Sequence, residues 1–360
     1  MKAAVCYEFG QPLVVQDVEI DPPQRGEVLV RIAAVAICHS DVHRIRGEWG
    51  GPLPVVAGHE ASGVVERVGD GVTRVKAGDH VVVSLLRQCG HCFYCTTGEP
   101  YLCDGPMALR TETRLHTKAG DPIQQGISTG AFAEYAVVDQ SQLVPIPVEL
   151  RLDAASLLAC GVITGLGAVV NTAQVRPGSS VAVIGTGGVG LNAVQGAVLA
   201  GANPIIAIDL LDHKLEAARA FGATHGLNAA LPDVRAAVRA LTGGRGVDCA
   251  AVTVGSTAAV AQAQEIVRRG GTVVIAGMPH VDATYSLPVY RTVGSGHRIL
   301  GSVMGSTRLQ VDVPRLVSLY QTGRLKLDEL ISNRYPLERI NDAITSMEAG
   351  DALRNVVVFD

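Results

Sequence analysis

Cys38 and His59 set one thiolate donor and one imidazole donor 21 residues apart, within the stretch Ile37–Glu60. That separation suits two neighbouring strand ends of a β-barrel better than one helix. A second thiolate follows far downstream, at Cys160. Two sulfurs and one ring nitrogen make three ligands, and a zinc ion that prefers four is left with an open position. Three protein ligands plus one open site is the pattern of catalytic zinc. A metal held in that way acts as a Lewis acid on a bound hydroxyl or carbonyl oxygen.

A second metal-ligating pattern lies between these donors. Cys89, Cys92, Cys95 and Cys103 follow the spacing Cys-x₂-Cys-x₂-Cys-x₇-Cys. Four thiolates on one short lobe close a tetrahedral zinc site with no open position, which is structural. A ferredoxin-type cluster would place its fourth cysteine after three residues and follow it with proline. Here the gap is seven and Asp104 follows. Two zinc ions per chain are therefore expected.

The third chemical signature is Gly185-Thr186-Gly187-Gly188-Val189-Gly190. An apolar run, 180–184, precedes it, a helical pattern, 191–200, follows, and Asp209 closes the next strand 19 positions past Gly190. With that context the glycines read as a dinucleotide fingerprint. The first makes the turn, the second lets the backbone approach a pyrophosphate, and the third lets helix pack on strand. Helix N-terminal amides would hold the phosphates. Asp209 can accept from ribose hydroxyls and would repel a 2′-phosphate, which favours NAD over NADP.

Elements to position these groups are visible around them. Alternating apolar residues at 26–32, 62–68 and 80–83 read as half-buried strands bounded by Gly-Asp turns. Residues 131–138 return to strand after a polar stretch, 104–130, that reads as a long loop. A helix is expected from 153 to 158, just before Cys160, and a small-residue helical run over 164–171. Further strands at 203–209, 247–252, 272–277 and 298–303, with a helix over 257–269, complete a doubly wound parallel sheet. A helix at 314–320 and a strand at 355–359 return to the first domain. The expected fold is α/β, with a β-barrel domain at 1–161 and 304–360 and a nucleotide-binding domain at 162–303.

Bulk composition narrows the function classes. The chain has 360 residues, 48% hydrophobic but only 4% aromatic, and 41 glycines, which suits a Val/Ala/Leu/Ile core with many tight turns. Net charge is −4 and no basic block stands out, so a nucleic-acid partner has no electrostatic footprint. No apolar run reaches the ~18–20 residues that a membrane span requires. The N-terminus has no signal-peptide pattern, so cysteines in this chain read as metal ligands more readily than as disulfides, and a cytoplasmic enzyme is expected. Cys6 and Cys249 lie in apolar strands and read as small core residues. His91, His116, His213, His225, His280 and His297 have no partner pattern.

In this order, the zinc ligands, the four-cysteine lobe and the NAD fingerprint resemble the zinc-containing medium-chain dehydrogenase/reductase family, specifically its alcohol dehydrogenases, over the whole chain. The resemblance implies a GroES-like catalytic domain and a Rossmann domain. It implies that Cys38, His59 and Cys160 hold catalytic zinc, with Asp41 orienting His59 and Glu60 able to approach the metal. By the same resemblance Ser40 and His43 form a proton relay. Lys214 is a second adenosine-ribose contact beside Asp209, Thr164 and Val189 lie beside the nicotinamide, and Arg354 reaches the pyrophosphate. Trp49, Leu85, Phe132, Ala133 and Met278 line the pocket. The small-molecule substrate would be an alcohol or aldehyde, oxidised or reduced with NAD.

Some positions depart from the family pattern. His39 stands where many relatives place an arginine against the pyrophosphate, so NADH is expected to leave more easily. Trp49 stands where the thiol-adduct formaldehyde dehydrogenases carry an acidic residue, and its bulk favours a narrower, apolar pocket for a primary alcohol. A formaldehyde dehydrogenase acting on a thiol adduct is the alternative, followed by a non-catalytic member. The 104–130 stretch is retained, whereas many tetrameric relatives lack most of it, and a homodimer is expected.

Overall fold

The computed structural model describes residues 1–350 and 352–359. The chain divides into two compact units, Met1–Cys160 with Arg308–Asp360, and Gly161–Thr307. The second boundary lies beyond the expected position at 304. Residues 304–307 stay with the second unit because the Gly305 backbone packs against Ile163 and Gly167 and Thr307 Oγ1 donates to the Ile163 carbonyl.

The first unit is built around the long strand Glu27–Ala36. It pairs antiparallel with Glu60–Val68, with Tyr135–Asp139 and with Arg354–Val358. Strands His80–Val83 and Leu143–Pro145 extend this seven-stranded sheet beyond Glu60–Val68. Inward-facing Val30, Ile32, Val65, Val81, Val83, Ala136 and Val138 are buried in one core, as the alternating pattern requires. Glycine is obligatory at position 63, where a Cβ would come within 2.1 Å of the Arg31 carbonyl. The register opposes Ala36 to Glu60. The chain therefore leaves one strand toward Cys38 at the same end at which it enters the next from His59.

The expected long loop at 104–130 is not structureless. It carries strands Leu115–His116 and Pro122–Gln125, which join Lys2–Cys6, Val14–Asp17, Glu19–Ile20 and Val55–Val56 in a second, six-stranded sheet. Only Leu115 and Ile123 face the core, both fully buried, so each strand is too short for its alternation to show. A buried ion pair ties the segment down: Arg114 donates to both Glu27 carboxylate oxygens, at 2.7 and 2.9 Å.

The second unit is a six-stranded parallel sheet in the order His225–Asn228, Ile205–Asp209, Val181–Ile184, Val247–Val252, Val267–Ile275, Arg298–Gly301. Helices Gly188–Leu199, Asp212–Ala220, Val234–Leu241 and Thr257–Ile266 connect the strands. This is the doubly wound arrangement expected from the alternating strand and helix patterns. The helix expected to reach residue 269 stops at Ile266, and the next strand begins at Val267 rather than 272. There Val267 pairs with Val247 and Arg268 Nε bonds Asp248 at 2.5 Å, so strand contacts override the helical pattern.

Candidate metal centres and dinucleotide loop

Cys38 is the N-cap of helix His39–Arg46, in extended backbone just past the end of the central strand. His59 directly precedes strand Glu60–Val68. Cys160 follows helix Leu152–Ser156 and a 3-10 turn, Leu157–Ala159, whose Ala159 carbonyl accepts from Ser84 Oγ at 2.7 Å. All three are buried, and their ligand atoms lie within 4.8 Å of one another. His59 Nε2 faces Cys160 Sγ at 3.2 Å.

Asp41, fully buried in the first turn of the helix, binds this group together. Its Oδ1 accepts from His59 Nδ1 at 2.8 Å and from the Gly58 amide at 2.9 Å, and its Oδ2 accepts from the Cys38 amide at 3.3 Å. Burial disfavours the charged His59 ring, but the charge and hydrogen bond of Asp41 and the Cys38 sulfur outweigh it and raise the ring to about 10. The hydrogen bond from Cys160, with the His59 ring, holds the Cys38 thiol well below its ordinary value. A buried group with a stabilised thiolate, a second sulfur and a carboxylate-oriented imidazole is the donor chemistry that zinc requires.

Glu60 and Arg354 are both buried and form an ion pair with each other. Their side chains meet next to the donor group, where the resemblance had assigned one to the metal and the other to a pyrophosphate.

The other four cysteines also converge, with ligand atoms within 4.8 Å. The Cys89 amide donates to Cys103 Sγ and the Cys92 amide to Cys89 Sγ, each at 3.2 Å. Cys92 Sγ lies 3.8 Å from Cys103 Sγ, too far for a disulfide. Amide hydrogen bonds, chiefly from Cys95, lower Cys92 to about 6, whereas burial and neighbouring sulfurs push Cys95 up to about 12. Four sulfurs so close cannot all ionise without a cation among them. A Cβ at Gly105 would come within 2.4 Å of Cys89 Sγ, so the lobe closes only over glycine.

In the second unit the glycine loop has the expected form. Gly185 adopts φ +86°, and a Cβ at Gly190 would come within 1.9 Å of the Gly185 carbonyl. Gly187 caps the helix Gly188–Leu199, and a Cβ there would meet no protein atom. Internal packing therefore explains glycine at 185 and 190, while at 187 it leaves a cradle open for a close-approaching phosphate. Asp209 ends its strand and accepts from the Thr186 amide and hydroxyl at 2.7 and 3.0 Å and from the Leu211 amide at 3.1 Å. It braces the loop, which the sequence reading did not foresee, and lone pairs remain for a ribose. Thr164 Oγ1 meets Met304 Sδ at 3.7 Å, Val189 and Lys214 are half-buried, and Met278 is exposed.

The remaining expected residues lie in the first unit. His39 is exposed, and Ser40 and Leu85 are half-buried. Phe132 is fully buried and packs behind Gly58, where a Cβ would meet its ring at 2.6 Å. It walls the loop that delivers His59, and Ala133 is equally buried. His43 lies against Glu48, with Nδ1 2.5 Å from Oε2, and its ring stacks on Trp49 with centroids 5.1 Å apart. Glu48 went unnoticed in the sequence. The available signal was Gly47 just past a helical pattern, which folds the next residue back over the helix end.

Comparison with known proteins agrees with this layout. The alcohol dehydrogenase GroES-like domain family matches residues 24–148 and the zinc-binding dehydrogenase family residues 188–322. The NDMA-dependent alcohol dehydrogenase of Amycolatopsis methanolica is 39% identical over 369 residues, 99% of this chain and 98% of the relative. An alcohol dehydrogenase of Malus domestica is 38% identical over 99% of this chain and 96% of its own. The crystal structure of benzyl alcohol dehydrogenase from Acinetobacter calcoaceticus superposes with a TM-score of 0.93 at 33% identity, covering 100% of this chain and 99% of that one. With its donor groups, its parallel sheet and this full-length similarity, the chain belongs to the zinc-containing medium-chain dehydrogenase family.

Proposed function

We propose that the chain catalyses reversible hydride transfer between a primary, apolar alcohol and NAD, in the cytoplasm and as a homodimer. As a member of its family it is a zinc-dependent alcohol dehydrogenase. The observation that carries the reading is the buried Cys38, His59 and Cys160 group with Asp41 behind it. Cys38, His59 and Cys160 would hold a zinc ion, which when bound would supply Lewis acidity toward an alcohol hydroxyl, and a bound nicotinamide would supply the hydride acceptor. The chain's own residues do the rest. Asp41 fixes the His59 ring, Gly187 admits a pyrophosphate, and Asp209 disfavours a 2′-phosphate. Ser40 passes the hydroxyl proton toward His43, with Trp49 narrowing the pocket for apolar substrates. The Cys89–Cys103 lobe supports a second, structural zinc. Among the described residues the cysteines form no disulfide, which is the state a reducing compartment favours.

The test is turnover of aliphatic, benzylic and terpenoid alcohols with NAD, NADP or NDMA as acceptor, with and without a formaldehyde–thiol adduct. Preference for NAD with an apolar primary alcohol supports the reading. Turnover confined to the thiol adduct would favour the formaldehyde dehydrogenase alternative. Absence of turnover with any alcohol and any acceptor, at full zinc loading, would indicate a non-catalytic member.

A further inference from the structure

The helix that starts at Cys38 ends in a hydrogen-bond pattern that determines what His43 touches. Gly47 adopts φ +80° and its amide donates to the Arg44 carbonyl, while the Glu48 amide donates to the His43 carbonyl at 3.0 Å. These two bonds make a Schellman stop, in which the second residue past the helix packs on the side chain one turn back, ordinarily through an apolar contact. Here the two positions are Glu48 and His43, and the contact is an imidazole–carboxylate hydrogen bond of 2.5 Å. Trp49 then stacks on the same ring at 26° between planes.

The turn beyond is clamped. Arg44, buried and lying over the Phe9 ring, donates to the Gly50 carbonyl at 2.7 Å and the Pro52 carbonyl at 2.6 Å. Glu48 and Trp49 are thus held on a short, braced turn. Stability does not account for the pair. The side chains of His43 and Glu48 are 22% and 38% exposed, and an ion pair so placed contributes only ~0–1 kcal/mol.

We propose that Glu48 is a positioning residue for His43. Its carboxylate accepts the Nδ1 proton and leaves Nε2 as the ring's proton acceptor, and Trp49 fixes the ring plane. This deepens the proposed function, because it rests on His43 as the last protein acceptor of the alcohol's proton. On that reading the hydroxyl proton that Ser40 takes up would be relayed, by way of the ribose hydroxyl of a bound cofactor, to Nε2. The imidazolium that forms is held by Glu48 until Nε2 releases the proton to solvent. A carboxylate behind a proton-accepting imidazole sets its tautomer and stabilises the ion formed.

A double-mutant cycle tests this, with Glu48→Ala and Glu48→Gln made in the wild-type and His43→Gln backgrounds. Zinc content and melting temperature serve as controls for folding. In the wild-type background we expect Glu48→Ala to lower kcat about tenfold with KM for the alcohol within about twofold. Glu48→Gln, which keeps an acceptor but no charge, should fall between. In the His43→Gln background neither should cost more. ¹⁵N shifts of His43 should show Nδ1 protonation in the wild type and its loss in Glu48→Ala. Wild-type kcat in Glu48→Ala, beside an impaired His43→Gln, overturns the role of Glu48 and leaves the relay standing. An equal loss in both backgrounds overturns it as well, by showing that Glu48 acts through the fold. If His43→Gln itself turns over normally, the relay reading fails and takes the proposal with it.

Discussion

Asp41 serves three partners with one carboxylate, accepting from His59 Nδ1, from the Gly58 amide and from the Cys38 amide. Asparagine has the same shape but carries a donor where the Cys38 amide needs an acceptor, or where His59 does, and it removes the charge that makes His59 a strong ligand. Asp41→Asn should therefore weaken zinc at the three-donor site by ~10–100-fold, leaving the four-cysteine site intact. Metal content after dialysis against graded chelator measures this, and loss of zinc at the wild-type chelator concentration would refute it. Cys38 and His59 were legible in the sequence because their chemistry is tied to side-chain type and their spacing to adjacent strand ends, whereas Asp41 was assigned through the family resemblance alone. Glu48 was not, because its contact depends on how a helix stops. The Glu60–Arg354 pair was equally hidden. Its members stand 294 positions apart, and only the folded strands bring them together.

The segments that hold these residues are pinned by polar anchors as much as by apolar faces. Arg114 and Glu27 are each 3% exposed and bonded through two hydrogen bonds. Arg114→Met would leave a buried carboxylate without its partner, at a cost of ~3–5 kcal/mol, while Arg114→Met with Glu27→Leu should recover most of it. Urea midpoints of the two variants decide, and equal midpoints would contradict the account. Asp153, which opens the helix leading to Cys160, supports a pH prediction. Burial opposes its ionisation, but hydrogen bonds from Arg151 and Arg334 outweigh that and hold it below its usual 3.8. A lowered carboxylate stabilises the fold fully above its unfolded value, and the contribution is lost as pH falls through the folded value. Asp153→Asn should thus melt lower than wild type at pH 7, by ~1 kcal/mol, and the gap should close as the pH falls from 3.8 through the lowered folded value. A gap that stays constant across that range would rule this out. Long apolar strands such as Val247–Val252 showed in the sequence, as did the glycine loop. The strands within 104–130 did not, since two or four residues cannot display a period and their main anchor is a charge. The early start of strand Val267–Ile275 was hidden because sheet pairing overrode a helix-compatible pattern.

At the scale of the molecule, each unit has its own core and its own chemical element. Among the described residues no single helix is long and apolar enough to cross a membrane. One surface of the second unit stands out. Among the described residues strand Arg298–Gly301 pairs with one neighbour only, Val267–Ile275, and ends the parallel sheet. In the segment that leads into it, Val281 is 71% exposed, Val289 63%, Tyr290 94% and Val293 77%. An open strand edge beside that much exposed apolar surface invites pairing with another chain unless it is covered. A second copy related by a two-fold axis would cover both at once, pairing edge to edge and burying the same patch from each side. The homodimer proposed above should therefore be made through this face. Val289→Asp with Val293→Asp places two charges per chain inside the buried patch, so sedimentation should find a dimer for wild type and a monomer for the double variant at the same micromolar concentration. Zinc content should stay unchanged, because the sulfur and imidazole donors all lie in the other unit. A wild-type monomer would refute the homodimer itself, and a double variant that still sediments as a dimer would place the contact on a different face.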